Sequence, residues 1–254
     1  MQLATWNVNS LTVRLPQVLD WLAANPVDAL VLQETKCTDD KFPHEAIEAA
    51  GYKVAFFGQK TYNGVALLSR NDATEVVKNI PGFEDDMARV IAGTVNGVRV
   101  IGAYFPNGQA PDSDKFVYKM RWLEALQHWL REELKQHPKL ALMGDFNITV
   151  DDRDVWDPVA LKDTIHCTVQ ERDHFQALID LGTHDAFRLF EQAEKSYSWW
   201  DYREFAFRRN RGLRIDHILV SDALKPQVQS CVIDKAPRKN ERPSDHTPVV
   251  VTLA

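Results

Sequence analysis

Apolar residues recur along the chain in ten short runs rich in β-branched and aromatic side chains: QLATWNV, DALVLQE, YKVAFFG, GVALLS, RVIAGTV, VRVIGAYF, KLALMGD, LRIDHILV, VQSCVI and TPVVVTL. Runs of this length, bounded by polar and turn residues, predict β-strands. Three segments between them follow a helical period. LPQVLDWLAAN carries Leu15, Val18, Leu19 and Leu22 on one face, and FVYKMRWLEALQHWLREELKQH carries Trp122, Leu123, Leu126, Trp129, Leu130 and Leu134. The third, QERDHFQALIDLG, closes on Gly182, a helix-stop signal. Strands dominate, so the expected fold class is α/β: two packed sheets with helices outside them, in one domain over residues 1–254. The irregular stretch ITVDDRDVWDPVALKDTIHCTV is long for a plain connector and is expected to be a substrate loop.

Several of these apolar runs end in residues that a buried strand would not choose. ALMGDFNI ends in Asp145, Phe146 and Asn147, QLATWNVNS in Asn7 and Asn9, and DALVLQETK in Glu34. VIGAYFPNG delivers Tyr104 and Asn107, GLRIDHILV holds Asp216, and ERPSDHTPVVV sets Asp245 and His246 before the last strand. A carboxylate beside a core is costly unless it is paired, hydrogen-bonded or metal-bound. Each residue has a bland reading: Asn7 capping a turn, Glu34 solvated at a helix start, Asp145 with Asn147 in an Asx-turn, Asp185 of THDAF capping a helix. Their coincidence at strand ends, where ligands gather in α/β sheets, points to one cleft.

The residue types in that cleft make a metal-assisted hydrolase. Glu34 is a hard oxygen ligand suited to Mg²⁺, and Asn7 and Asn9 can ligate the ion or orient its waters. No Cys/His cluster has zinc spacing. His246 can donate to a phosphoryl oxygen or act as a base, with Asp216 holding its tautomer. Asp145 can accept a proton from water, Asn147 can fix geometry, and Tyr104 can donate to a phosphate oxygen. His217 alternates to the opposite face of its strand and is read as structural. Ser244 lacks a nucleophile elbow.

Composition narrows the class without deciding it. The formal net charge is −6, which excludes a polybasic binder but not an enzyme that needs only local positive charge. Three separated cysteines form neither a disulfide framework nor a CxxC pattern and fit a reducing compartment. MQLATWNVNS lacks the n- and h-regions of a secretory signal, and no apolar run is long enough to span a bilayer. The expectation is a cytoplasmic protein with no membrane partner.

The blocks WNVNSLTVR, LQETK, GQKTYNGVALLSR, GDFNI, WWDYR, RGLRIDHILVS and ERPSDHTPVV resemble the signatures of the exonuclease III group of DNA-repair nucleases. That group lies within the endonuclease/exonuclease/phosphatase superfamily, and the resemblance runs from residue 3 to the C-terminus. It implies a four-layer α/β sandwich of two mixed sheets flanked by helices, and a Mg²⁺- or Mn²⁺-dependent monomer. It implies action on double-stranded DNA in base excision repair, as a 3′→5′ exonuclease, 3′-phosphatase, 3′-phosphodiesterase and abasic-site endonuclease. Carried over, Glu34 would ligate metal with Asn7 near it and Asp245 supporting. Tyr104, Asp145, Asn147, Asp216 and His246 would be catalytic.

Arg203, Arg208, Arg209, Arg211 and Arg214 cluster before the Asp216 strand and are expected to meet phosphates. Trp199, Trp200 and Leu213 match positions near the deoxyribose, and Arg89, Asn107 and Lys119 are expected along the DNA backbone. The segment IHCTVQERDHF replaces a longer F-L-P-E-E-R-like one of the family. His166 is thereby expected to crowd the pocket for an internal abasic sugar, weakening incision relative to 3′-end processing. The competing classes are a superfamily phosphoesterase for a small or lipid phosphate, which the basic YREFAFRRNRGLR stretch argues against, and a non-catalytic scaffold, which the intact acids and His246 argue against.

Overall fold

A computed structural model describes residues 1–254. The chain begins β1 (Gln2–Asn7), α1 (Leu11–Ala24), β2 (Ala29–Gln33), α2 (His44–Ala49), β3 (Lys53–Phe57) and β4 (Val65–Ser69). It continues β5 (Thr74–Lys78), β6 (Val90–Val95), β7 (Val98–Tyr104), α3 (Asp114–Gln136), β8 (Leu140–Asp145), α4 (Val169–Asp180) and β9 (Thr183–Asp185). It closes with β10 (Trp199–Trp200), β11 (Gly212–Leu213), β12 (Asp216–Ser221), β13 (Val228–Ile233) and β14 (Val249–Leu253).

One six-stranded sheet has the order β13-β14-β1-β2-β4-β3 and the other β5-β6-β7-β8-β12-β9. Both are mixed: β1 runs parallel to β2 after the α1 crossover, and β7 parallel to β8 after α3, while their other neighbours are antiparallel. The sheets pack face to face through Leu3, Val31, Leu67, Val100, Met143, Ile218 and Val251. The outer face of the first sheet packs under α1 and α2, with Trp6, Val18, Trp21, Leu30 and Ile47. The outer face of the second packs under α3 and α4, with Trp122, Leu126, Leu142 and Phe175. This is the four-layer α/β sandwich expected of the sequence.

Covering both faces explains why β2, β4 and β8 read as unbroken apolar runs rather than alternating ones. All ten apolar runs hold a strand. β5 was not legible because it is an exposed edge, TEVVK, with little to bury. The two-residue pair β10·β11 and the three-residue β9 are too short to carry a period. The helix from Thr168 starts in a reciprocal capping box with Glu171 and stops before Gly182, whose φ of 104° an L side chain resists. No helix is long and apolar enough to cross a membrane.

Candidate active site

The same period-two rows that build the core between the sheets end in the polar residues. Leu3 leads to Asn7 along β1, Val100 to Tyr104 along β7, Met143 to Asp145 along β8, and Ile218 to Asp216 along β12. Register aligns them laterally: Tyr104 pairs with Asp145, and Asp145 with Asp216. The three side chains therefore share one face at one end of the sandwich. Gly144 permits this pairing, since a Cβ there would run into the Ala103 carbonyl oxygen on β7. Glu34 follows β2 at φ 53°, Asn9 follows β1 at φ 43°, and Asn147 sits at φ 52°. Left-handed backbone at three such positions is strain held by the fold.

The contacts form one network. The Asn7 amide donates to Glu34 Oε2 at 2.5 Å and to Asp145 Oδ2 at 2.9 Å. Its own oxygen accepts from the Asn9 backbone N–H at 3.0 Å, so Asn7 orients the two carboxylates and does not turn its oxygen toward them. His246 Nδ1 lies 2.8 Å from Asp216 Oδ2, which leaves Nε2 3.5 Å from Asp145 Oδ2. A carboxylate can only accept here, so Nδ1 carries the proton. Asn147 donates its backbone N–H to Asp145 Oδ1 at 3.0 Å and its amide to the Phe105 carbonyl at 2.9 Å. Asp245 accepts from the Trp199 indole at 2.9 Å and from Asn9 at 3.3 Å. Arg89 lies 5.1 Å from the Tyr104 ring centre and donates to the Tyr104 carbonyl at 3.2 Å.

Burial, with Asp216 and Glu34 adding to it against the pull of His246, pushes the Asp145 carboxyl up to about 8. Burial disfavours the His246 cation, but the Asp216 and Asp145 carboxylates outweigh it and hold the imidazole well above its usual value. Burial, reinforced by Glu34 and Asp145, keeps the Tyr104 phenol protonated far beyond its ordinary range. One donor atom each from Glu34, Asp145 and His246 lies within 4.8 Å of the others. Crowded buried carboxylates are what a divalent cation relieves, and two oxygens from protein suit a hard ion that keeps its waters. The donor set fits a metal.

Beside this network opens a cavity of about 560 Å³ lined by Trp156, Leu161, His166, Trp199, Arg211 and Leu213, among others. Arg211 stacks 5.0 Å from the Trp156 ring centre and joins its two walls. The stretch expected as a substrate loop forms one wall and is anchored by buried Asp154, which accepts from the Val150 N–H at 2.9 Å. His166 Nδ1 is 2.7 Å from the Asn147 carbonyl, at φ 73°. Burial and the nearby Lys119 charge push its pKa down to about 3, so the ring is neutral and Nε2 is an acceptor. Asn107 is exposed on a second hollow with Tyr62, Arg89 and Tyr104, and Arg203 and Arg208 are exposed on the 201–211 turn.

Three expectations for the DNA surface are corrected. Lys119 is fully buried, ion-paired with Glu171, and donates to the Asn147 carbonyl at 2.8 Å and the Asn107 carbonyl at 3.2 Å. It braces two loops of the site and cannot reach a phosphate. Arg214 is equally buried, on Asp154 at 2.8 Å and Asp185 at 2.7 Å. Asp185 is therefore its ion-pair partner rather than a helix cap. Trp200 is core, with its indole on Asn210 and Phe207 edge-on at 4.9 Å. His217 is structural as expected, with Nε2 2.8 Å from the Ile148 carbonyl. The reading of the sequence missed Lys36, 3.6 Å from Glu34 and 2.6 Å from Asn9 Oδ1, although it stands in the same LQETK block. It also missed Ser244, which donates to the Asn7 carbonyl at 2.6 Å.

A model of the endonuclease/exonuclease/phosphatase family matches residues 4–246. Exodeoxyribonuclease III of Haemophilus influenzae is 35% identical over 98% of both chains. A 3′ phosphatase from Neisseria, solved bound to a product DNA hairpin, superposes with a TM-score of 0.99 and 49% identity, covering 100% of this chain and 99% of that one. An AP endonuclease from Archaeoglobus fulgidus superposes with a TM-score of 0.96 and 35% identity, over 100% and 99%.

Proposed function

Since the chain belongs to the endonuclease/exonuclease/phosphatase family, we propose that it is a DNA-repair nuclease. It hydrolyses phosphoesters at the 3′ ends of double-stranded DNA with a bound Mg²⁺ or Mn²⁺ ion. The single observation that carries the chemistry is the convergence of buried Asp145, Asp216 and His246 with half-buried Glu34 in one network. Glu34 and Asp145 would hold the ion, which would neutralise phosphate charge and lower the pKa of bound water.

The chain's own groups supply the remaining roles. Asp216 fixes the His246 tautomer, and the imidazolium offers Nε2–H to a phosphate oxygen. Tyr104, a neutral phenol, is a second donor. Asp145, which lies 3.5 Å from His246 Nε2 and whose carboxyl pKa is raised by burial in the metal-free site, is suited to accept a proton from the attacking water. Arg89, Asn107, Trp199, Arg203, Arg208, Arg211 and Leu213 make the DNA surface. The Haemophilus and Neisseria relatives, named for an exodeoxyribonuclease and a 3′ phosphatase, support DNA as substrate over a small or lipid phosphate.

A panel of recessed, nicked, 3′-phosphate and abasic duplexes tests this. With Mg²⁺, 3′ termini should be hydrolysed; EDTA should abolish turnover and added Mg²⁺ restore it. Full activity in EDTA, or faster hydrolysis of a soluble phosphomonoester than of duplex DNA, would refute the reading.

Selectivity among these substrates rests on His166. Its ring is pinned to the Asn147 carbonyl beside Trp199 and Leu213, where an internal abasic sugar would have to enter. His166→Gly suits the positive φ and opens that space. The variant should gain at least about tenfold in abasic-site incision relative to 3′ processing, since a few kcal/mol of steric exclusion is at stake. Equal ratios for variant and parent would remove His166 from selectivity. The protein is read as a monomer of one catalytic domain.

A further inference from the structure

The turn 201–211 carries a residue that neither the network nor the cavity absorbs. Phe205 is 69% exposed, while the next residue, Ala206, is buried and Phe207 packs on Trp200. A lone exposed Phe needs no explanation. This one also sits at φ 53°, directly after Glu204 at φ 58°. Bulky side chains seldom adopt the left-handed region, and two in succession are strain that the surroundings must hold. Three backbone bonds hold it: Ala206 N–H to Arg203 O at 3.2 Å, Arg209 N–H to Phe205 O at 2.9 Å, and Arg211 N–H to Ala206 O at 2.8 Å. The ring is thus held out in water by a closed, anchored turn.

The neighbours state what it faces. Arg203, Glu204, Ala206 and Arg211 line the cavity that adjoins the catalytic network through Trp199 and Asp245, so Phe205 stands on its rim. Arg208 and Arg209 are exposed on the same turn. In a chain of net charge −6, an apolar ring set among arginines is complementary to a polyanion with apolar faces. A nucleic-acid duplex is such a ligand: phosphates meet guanidinium groups, and an apolar side chain slips between or against the bases.

We propose that Phe205 is an apolar wedge that stacks on the base pair flanking the processed 3′ end while the adjacent arginines hold the backbone. This rests on duplex DNA being the substrate. The wedge stabilises the bound, partly unstacked end that presents the terminal phosphoester to His246 and Asp145.

Phe205→Ala, Phe205→Gly and Phe205→Tyr test it on a recessed duplex with 2-aminopurine at the terminal pair. Base–aromatic stacking of the usual strength predicts KM up by about tenfold in the Ala and Gly variants, with kcat within about twofold. Wild type should raise 2-aminopurine fluorescence on saturation in EDTA, where no cleavage occurs; Ala and Gly should lose that rise and Tyr should keep it. Glycine accepts φ 53°, and that relief offsets the entropy it adds to the unfolded chain, so Phe205→Gly should melt within a few degrees of wild type, separating a DNA role from a folding one. Unchanged KM and fluorescence in an otherwise active enzyme would overturn the wedge alone. A Tm loss of about ten degrees or more in both Phe205→Ala and Phe205→Gly would overturn it too, by making the ring a packing element. Wild type that leaves all duplexes uncut would bring down the substrate reading, and the wedge with it.

Discussion

Asp145→Asn should lower kcat on recessed or 3′-phosphate duplexes by about 10³-fold or more while leaving the fold intact. The substitution keeps size and one acceptor oxygen, which can serve the Asn7 donor now 2.9 Å from Asp145 Oδ2, while its NH2 replaces Oδ1 as the neighbour of the Asn147 N–H. It removes the proposed proton acceptor, a role generally worth about 10²–10⁴ in rate, together with one of the two carboxylates proposed to hold the metal. A loss of 10³ is about 4 kcal/mol of transition-state stabilisation. The same change should raise the melting temperature of the metal-free protein at pH 8. Burial and the flanking Asp216 and Glu34 lift the Asp145 carboxyl to about 8, far above its value in an unfolded chain. A raised folded pKa means that the native state binds more protons, so this group's contribution is present at low pH and is lost as pH rises through about 8. The neutral amide has no such loss, and the wild-type decline in stability between about pH 4 and 8 should flatten in the variant. Turnover by Asp145→Asn within tenfold of wild type would remove Asp145 from the chemistry. An equal fall in stability between about pH 4 and 8 in variant and wild type would refute the electrostatic account of its surroundings.

Arg214→Met should destabilise the protein by about 3–5 kcal/mol, because it strands charges that cannot reach water. Arg214 Nε donates to Asp154 Oδ1 at 2.8 Å and its Nη2 to Asp185 Oδ2 at 2.7 Å, with all three residues largely buried. Arg188 still reaches Asp154 at 2.7 Å, so the greater damage falls on Asp185. Burial alone would raise both carboxyls; the Arg214 charge and hydrogen bonds outweigh it and hold both below the ordinary range. A depressed folded pKa contributes stability that is present above the unfolded value and is lost as pH falls through the folded one. Wild type should therefore keep this contribution at neutral pH and lose it only in strong acid. The variant should behave oppositely, gaining stability as pH drops from about 7 to 5, because its unpaired Asp185 carboxyl then protonates while Asp154 keeps Arg188. Urea melts at the two pH values check both signs. Domains generally hold only about 5–15 kcal/mol in total, so a loss below about 1 kcal/mol would show that the network is incidental.

Much of the architecture was legible because it depends on short-range periodicity. Runs such as KLALMGD and DALVLQE had to be doubly covered strands, and α3 announced itself through Trp122, Leu126, Trp129 and Leu130. The candidate site residues stood out for a related reason: Asp145, Asp216, Asn7 and Glu34 interrupt or end apolar runs, where a polar group needs a partner or a role. The edge strand β5 and the pair β10·β11 left no such trace, since their pairing lies in backbone hydrogen bonds to other segments.

By itself, then, the sequence determined ten of the strands, the three longer helices, the α/β class and the set of polar groups gathered at strand ends, but not the short helix α2 or the strands β5, β9, β10 and β11. Only the tertiary structure decided which charges face a ligand. Lys119 and Arg214 look like Arg208 on paper, yet each is cancelled inside by an acid far along the chain, Glu171 52 residues away and Asp154 60 residues away. A charge is buried or offered to solvent according to whether a distant carboxylate folds onto it, and no local pattern records that encounter.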